Sequence, residues 1–150
     1  MIEVEVESPD WSAALPDAEA LAQAAAEAAL AGAEAQGDVV VLLTDDEAMA
    51  GLNLRFRAKP GPTNVLSFPS PESARPHLGD VAVTFGVASR EAAEQGKALA
   101  DHLSHLVAHG VLHLVGYDHE SEAEAEAMEA LERRVLAGLG APDPYALRPL

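Results

Sequence analysis

His109, His113 and His119 lie in the run His109-Gly110-Val111-Leu112-His113-Leu114-Val115-Gly116-Tyr117-Asp118-His119. The first two have the spacing that puts side chains on one face of a helix, about one turn apart. Gly116 ends the helical pattern, and the turn after it can carry His119 back toward the same point. Three imidazoles converging there make a metal site with a position left open. A catalytic zinc has that layout, with three protein ligands plus water, whereas a structural zinc is closed by four. The chain has no cysteine, so thiolate ligands and disulfides are excluded and imidazole and carboxylate are the ligand types left. The expected cofactor is one zinc ion per chain, and the expected chemistry is metal-dependent hydrolysis.

The competing reading is that His109 and His113 are core histidines. Two neutral imidazoles on a buried helix stripe would each need a hydrogen-bond partner; a metal satisfies both at once. His105 repeats the same spacing before His109, but His105 and His113 stand about 12 Å apart along a helix axis, too far for one compact site. His105 is therefore read as supporting the ligands or lining a substrate channel. His102 and His77 carry no comparable argument and are expected at the surface. Asp118 has two readings of equal weight: it orients His119 or relays a proton, or it is a turn carboxylate holding backbone amides. Tyr117 is expected to cover the helix end. Zinc peptidases of the His-Glu-x-x-His type carry a glutamate beside the first ligand as general base. Here that position is Gly110.

The net charge is −16, from 25 acidic and 9 basic residues, which taken alone argues against a polyanionic partner. The distribution changes that reading. Residues 48–71 hold no acid but do hold Arg55, Arg57 and Lys59, a basic island suited to a local anionic ligand. The acids gather elsewhere, notably at Glu120, Glu122, Glu124, Glu126, Glu129 and Glu132, where a solvated helix face is expected. Hydrophobic residues at 49% permit a globular core, and the 4% aromatic content leaves aliphatics and alanine to fill it. The N-terminus lacks the basic flank and apolar core of a signal segment, and no apolar run approaches the roughly 18 residues of a membrane span. A cytoplasmic location without membrane contact is the expectation.

The elements that must position these residues follow from periodicity. Ile2, Val4 and Val6 alternate with Glu3, Glu5 and Glu7, a strand with one wet face near a sheet edge. Residues 16–31 read as an alanine-rich helix, and Val39-Val40-Val41-Leu42-Leu43 as a strand buried on both faces. Thr44 and Glu47 match a capping box for a helix carrying Met49, Leu52 and Leu54. Residues 64–68 form a strand ended by Pro69, residues 70–78 a polar loop, and residues 79–84 a further strand. Ser89 and Glu91 begin a helical region that Gly96 breaks; a long helix follows over 99–115, and Ser121 caps a last one. Strands interleaved with helices and no internal boundary predict one α+β domain over 1–150, a mixed four-stranded sheet packed by helices in a three-layer α/β-like arrangement.

The histidine run resembles the signature of the bacterial rRNA maturation factor YbeY family, metal-dependent endoribonucleases specific for single strands. Pro62-Thr63-Asn64-Val65-Leu66-Ser67-Phe68-Pro69 and Gly79-Asp80-Val81 also look like blocks of that family, in the same order, and the resemblance covers nearly the whole chain. It implies that His109, His113 and His119 are zinc ligands, that Arg57 is the family's arginine near the site, and that His105 is a histidine often found one turn before the first ligand. It further implies nuclease activity in small-subunit rRNA 3′-end maturation and ribosome quality control. The implied partners are single-stranded RNA, precursor small-subunit rRNA, and the small ribosomal subunit with its proteins.

In this reading Arg57 neutralises charge on the phosphate, and Arg55 and Lys59 help hold the strand. Two other readings stay open. A metalloprotease-like hydrolase would use the same trio but lacks the glutamate at Gly110. A non-enzymatic ribosome assembly factor would carry a structural zinc and dock a basic protein on the acidic helix at residues 120–132.

Overall fold

The computed structural model describes residues 1–145. Four strands, β1 (Ile2–Val6), β2 (Asp38–Thr44), β3 (Val65–Pro69) and β4 (His77–Thr84), form one sheet in the order β1-β2-β4-β3. β1 and β4 pair with β2 in parallel, and β3 pairs with β4 antiparallel. The helices are α1 (Pro9–Ala14), α2 (Ala18–Gly32), α3 (Asp46–Arg57), α4 (Phe85–Gln95), α5 (Leu99–Leu114) and α6 (Glu122–Gly138). This is the mixed-sheet α+β domain that the pattern of the sequence predicts. Among the described residues no helix is long and apolar enough to cross a membrane.

The layers follow from which strand positions are apolar. Val39, Val41, Leu43, Val81 and Val83 point to the main core, where α2 and α5 lie. Ala22, Ala25, Ala26 and Ala29 are all fully buried on α2, and their small side chains let that helix sit close to α5 and the sheet. α6 packs behind, against α2 and α5. On the opposite face Met49 and Leu52 of α3 meet Leu42, Leu66, Ala82 and Phe68 in a smaller core. The tip of α3 is tied down by Phe56, whose ring meets Phe68 edge-on at 5.2 Å.

Several local expectations are corrected. β2 is fully buried only on the α2–α5 side; Val40 and Leu42 are half-buried because the smaller core covers only part of the other face. The cap of α3 is Asp45, whose Oδ1 accepts the Ala48 amide at 2.9 Å, and not Thr44, which still belongs to β2. Leu54 is 62% exposed, off the apolar stripe of α3. β4 begins at His77, inside the stretch expected as loop, and α4 begins at Phe85, well before Ser89. β3 includes Pro69, which is tolerated because β3 is an edge strand with no outer ladder to supply. The short helix α1 carries no periodic signal; it is held by Trp11, fully buried, whose Nε1 donates to the Thr44 carbonyl at 3.1 Å.

Asp46 locks the start of α3 to the β4–α4 junction. Its carboxylate accepts from Thr84 Oγ1 at 2.6 Å, the Val87 amide at 3.1 Å and Arg90 at 3.2 Å. Burial works to raise its pKa, but these hydrogen bonds outweigh it and hold the carboxyl below the ordinary range. A depressed folded-state pKa means the stabilisation is present above the unfolded pKa of about 3.9 and is lost as pH falls through the folded value. Asp46→Asn is expected to destabilise the fold by about 1–2 kcal/mol at neutral pH. The gap to the native protein in thermal melting should close as pH drops below about 4; a gap that stays constant down to pH 2 would contradict the assignment.

Candidate metal centre

α5 sets two of the three histidines. Its apolar positions Leu103, Leu106, Val107 and Val111 are buried against the sheet and α2, which leaves His109 and His113 half-buried on an adjoining face. Their Nε2 atoms are 3.1 Å apart. The helix ends in a Schellman arrangement: the Gly116 amide donates to the His113 carbonyl at 3.1 Å and the Tyr117 amide to the Leu112 carbonyl at 3.0 Å. Gly116 has φ +103°, a backbone conformation that side chains resist, with no neighbour crowding it. The turn returns His119 to its partners, with ring centroids 5.2 Å from His113 and 5.9 Å from His109.

One donor nitrogen from each of the three rings lies within 4.8 Å of the other two. Tetrahedral zinc with Zn–N bonds of about 2.0–2.1 Å separates its ligand nitrogens by roughly 3.3 Å, so the 3.1 Å pair fits such an ion. Burial, then the neighbouring His109 and His119 imidazoles, lowers the pKa of His113 below the ordinary histidine value. Its ring is thereby kept neutral near physiological pH, the form that coordinates a metal. His105, His109 and Glu132 also gather donor atoms, but the carboxylate there is already filled by hydrogen bonds; Asp118, Glu120 and Glu124 offer no imidazole.

The histidines open onto a cleft of about 620 Å³ lined also by Arg57, Thr63, Asn64, Ser67, Tyr117 and Asp118. Arg57, the last residue of α3, therefore shares a cavity with His109, His113 and His119. Arg55 and Lys59 are exposed nearby but are not among the lining residues. Asp118 lines the cleft and accepts the His119 amide through Oδ1 at 2.7 Å, the turn-carboxylate arrangement; its distance to His119 Nδ1 is 3.9 Å.

His105 does not line the cleft. Its Nε2 lies 2.6 Å from Glu132 Oε2, behind the ligand cluster. His102 is buried, against the surface expectation, with Nε2 2.9 Å from Glu91; Glu91 in turn accepts from the Asn64 side-chain Nδ2 at 3.1 Å. Burial, partly offset by Glu91, lowers the pKa of His102. His77 is half-exposed and pairs with Asp80 at 3.2 Å.

Glu132 is the largest correction. It belongs to the acidic run expected as solvated, yet it is 0% exposed. It meets His105 at 2.6 Å, His109 Nδ1 at 3.0 Å and the Tyr145 hydroxyl at 2.6 Å. Burial acts to raise its pKa, but the hydrogen bonds from His105, His109 and Tyr145 prevail and hold it at about 2. Burial and the bond to Glu132 push Tyr145 well above the ordinary phenol value. A signal for Glu132 exists in the sequence. Met128, Leu131, Glu132, Val135 and Leu136 are the buried positions of α6, and their spacing is the apolar stripe of an amphipathic helix with one acid inside it. Tyr145 has no such signal, because it follows the last helix in an irregular tail.

Residues 3–140 match the family model described as "Endoribonuclease YbeY". The chain belongs to the YbeY endoribonuclease family. Relatives named endoribonuclease YbeY include one from Rhodopseudomonas palustris (strain HaA2), 50% identical over 143 residues covering 86% of this chain and 73% of the relative. One from Maricaulis maris is 58% identical over 109 residues, covering 73% and 68%, and one from Chelativorans sp. is 48% identical over 163 residues, covering 97% and 100%. A solution structure of a Thermotoga maritima protein superposes with a TM-score of 0.58 at 25% identity, covering 98% of this chain and all of the other.

Gly110 explains how this YbeY chain departs from a His-Glu-x-x-His peptidase. A Cβ there would stand 2.5 Å from Val81 Cγ1 and 3.2 Å from Ser67 Oγ, so position 110 faces the sheet and has no room for a glutamate. The Ser67 hydroxyl also donates to the Gly110 carbonyl at 2.9 Å, joining β3 to the ligand helix. Gly110→Ala is expected to push α5 off the sheet and to destabilise the fold by about 1–3 kcal/mol in denaturant titration, despite alanine's better helix propensity. A variant as stable as the native protein would show that the contact is slack.

Proposed function

We propose that this YbeY-family chain is a zinc-dependent endoribonuclease specific for single strands, acting in the cytoplasm on precursor small-subunit rRNA during 3′-end maturation and ribosome quality control. The observation that carries the reading is the sharing of one cleft by His109, His113, His119 and Arg57. Residues 1–150 act as one catalytic domain in this reading. His109, His113 and His119 would hold one zinc ion through ring nitrogens. Zinc there would supply Lewis acidity, lowering the pKa of water and polarising a phosphoryl oxygen. The Arg57 guanidinium, fixed by α3 at the cleft wall, offers donors to the non-bridging phosphate oxygens as negative charge develops on them. Arg55 and Lys59 flank that wall and attract the RNA backbone, while the acids of α6 stay on a separate element. Partners on this reading are single-stranded RNA and the small ribosomal subunit.

Two observations weigh against the rivals. The steric closure at Gly110 leaves no place for the glutamate of a metallopeptidase. Three imidazoles opening on a broad cleft suit a catalytic site, and a structural zinc would want a fourth protein ligand.

The decisive experiment uses small ribosomal subunits with unprocessed RNA 3′ ends. His113→Ala is expected to lose bound zinc and cleavage together. Arg57→Ala should keep native zinc content, melting and subunit binding while turnover falls about 100-fold or more. Cleavage that survives metal removal or His113→Ala would sink the zinc reading, and near-native turnover in Arg57→Ala would leave that residue a surface charge. RNA binding should weaken as salt rises, with the shallow slope of a few phosphate contacts; affinity independent of salt would remove the basic island from the interface.

A further inference from the structure

Behind the histidine cluster lies a polar network that the proposed reaction does not use. Glu132 is fully buried in the apolar stripe of α6, and its two oxygens divide their partners. Oε1 lies 3.0 Å from His109 Nδ1; Oε2 lies 2.6 Å from both His105 Nε2 and the Tyr145 hydroxyl. A carboxylate has no hydrogen to give, so each of these three groups must donate to it. His109 therefore carries its proton on Nδ1, and its Nε2 lone pair faces the Nε2 of His113. Nothing else among the described residues hydrogen-bonds His109 Nδ1.

We propose that Glu132 is the positioning residue of the metal centre: it holds His109 in the tautomer and ring orientation that ligation requires, and Tyr145 locks Glu132 in place from the C-terminal tail. The inference rests on the zinc reading given above. Second partners of this kind orient metal-binding imidazoles and raise their basicity. The tail is built to deliver the hydroxyl. Asp143 Oδ1 lies 3.3 Å from Arg133 Nε and accepts the Tyr145 amide at 2.8 Å; Lys97 donates to the Pro144 carbonyl at 3.0 Å. The Arg133 guanidinium lies 5.3 Å from the Tyr145 ring centroid. A tail lying loosely over α6 would not need these anchors.

The test measures zinc affinity by competition with a chromophoric chelator, and the His109 tautomer by histidine ¹⁵N shifts in the metal-free protein. Glu132→Leu, which removes both acceptor oxygens, should weaken zinc binding about 10- to 100-fold and let the His109 proton leave Nδ1, since leucine offers nothing to accept it. Glu132→Asp, which restores a carboxylate on a shorter arm, should recover part of the affinity. Tyr145→Phe should shift affinity in the same direction by less, with unchanged melting. Native zinc affinity and a native Nδ1 proton in folded Glu132→Leu would overturn the proposal. Should that variant fail to fold, native affinity in Tyr145→Phe would overturn it instead. His113→Ala serves as the separate control: if it keeps native zinc affinity, the metal reading itself has failed, whatever Glu132 does.

Discussion

The close approach of α5 to the sheet at Gly110 sets the geometry around the cleft. With no side chain at that position, the helix backbone lies against Val81 and receives a hydrogen bond from Ser67. That contact fixes the rotation of α5 about its axis. Once the glycine face is pressed to β3 and β4, the side chains of His109 and His113 have only the rim beside β3 to occupy. The same contact places β3, an edge strand, as one wall of the cleft, with Val65 and Ser67 turned toward α5 and Leu66 and Phe68 toward α3. One small residue thus couples the orientation of α5 to the strand that borders the cleft.

The two sides of the sheet contribute differently. The main core, lined by alanines of α2 and branched aliphatics of the strands, buries the apolar face of α5. The smaller core holds α3, whose role is to bring Arg57 around the end of the sheet to the same opening. Asp46 anchors the first turn of α3 and the Phe56–Phe68 contact anchors its last. The Arg57 side chain is exposed at the cleft, while its helix is held at both ends.

Charge in this protein is arranged by element. The acids of β1 alternate outward and those of α6 face solvent, apart from Glu132, while residues 48–71 are free of acid. A net charge of −16 therefore coexists with an acid-free stretch that carries Arg55, Arg57 and Lys59, of which Arg57 lines the cleft. Glu132 shows the opposite use of a carboxylate. Buried among two imidazoles and a phenol, it is retained because three donors replace the water it has lost.

The spacing of the histidines, the presence of four strands and the ends of the long helices could be read from the sequence, because each rests on local rules. The spacing of His109 and His113 is a property of one helix, Gly116 and Gly96 act as caps within a single turn, and the alternation in Ile2–Val6 belongs to one strand. The capping of α3 and the starts of β4 and α4 were missed by a few residues, since pairing across the sheet, not local propensity, decides where those elements begin. What only tertiary structure decided is the environment of charged and polar groups. Glu132 and Glu129 lie on the same helix and look alike in a list of acids, yet one is sealed inside and the other stands at the surface. Likewise His102 is buried because α4 brings Glu91 to it, and Tyr145 reaches Glu132 only because the tail folds back over α6. A side chain's cost of burial is set by the partners it finds, and those partners come from segments far away in the chain.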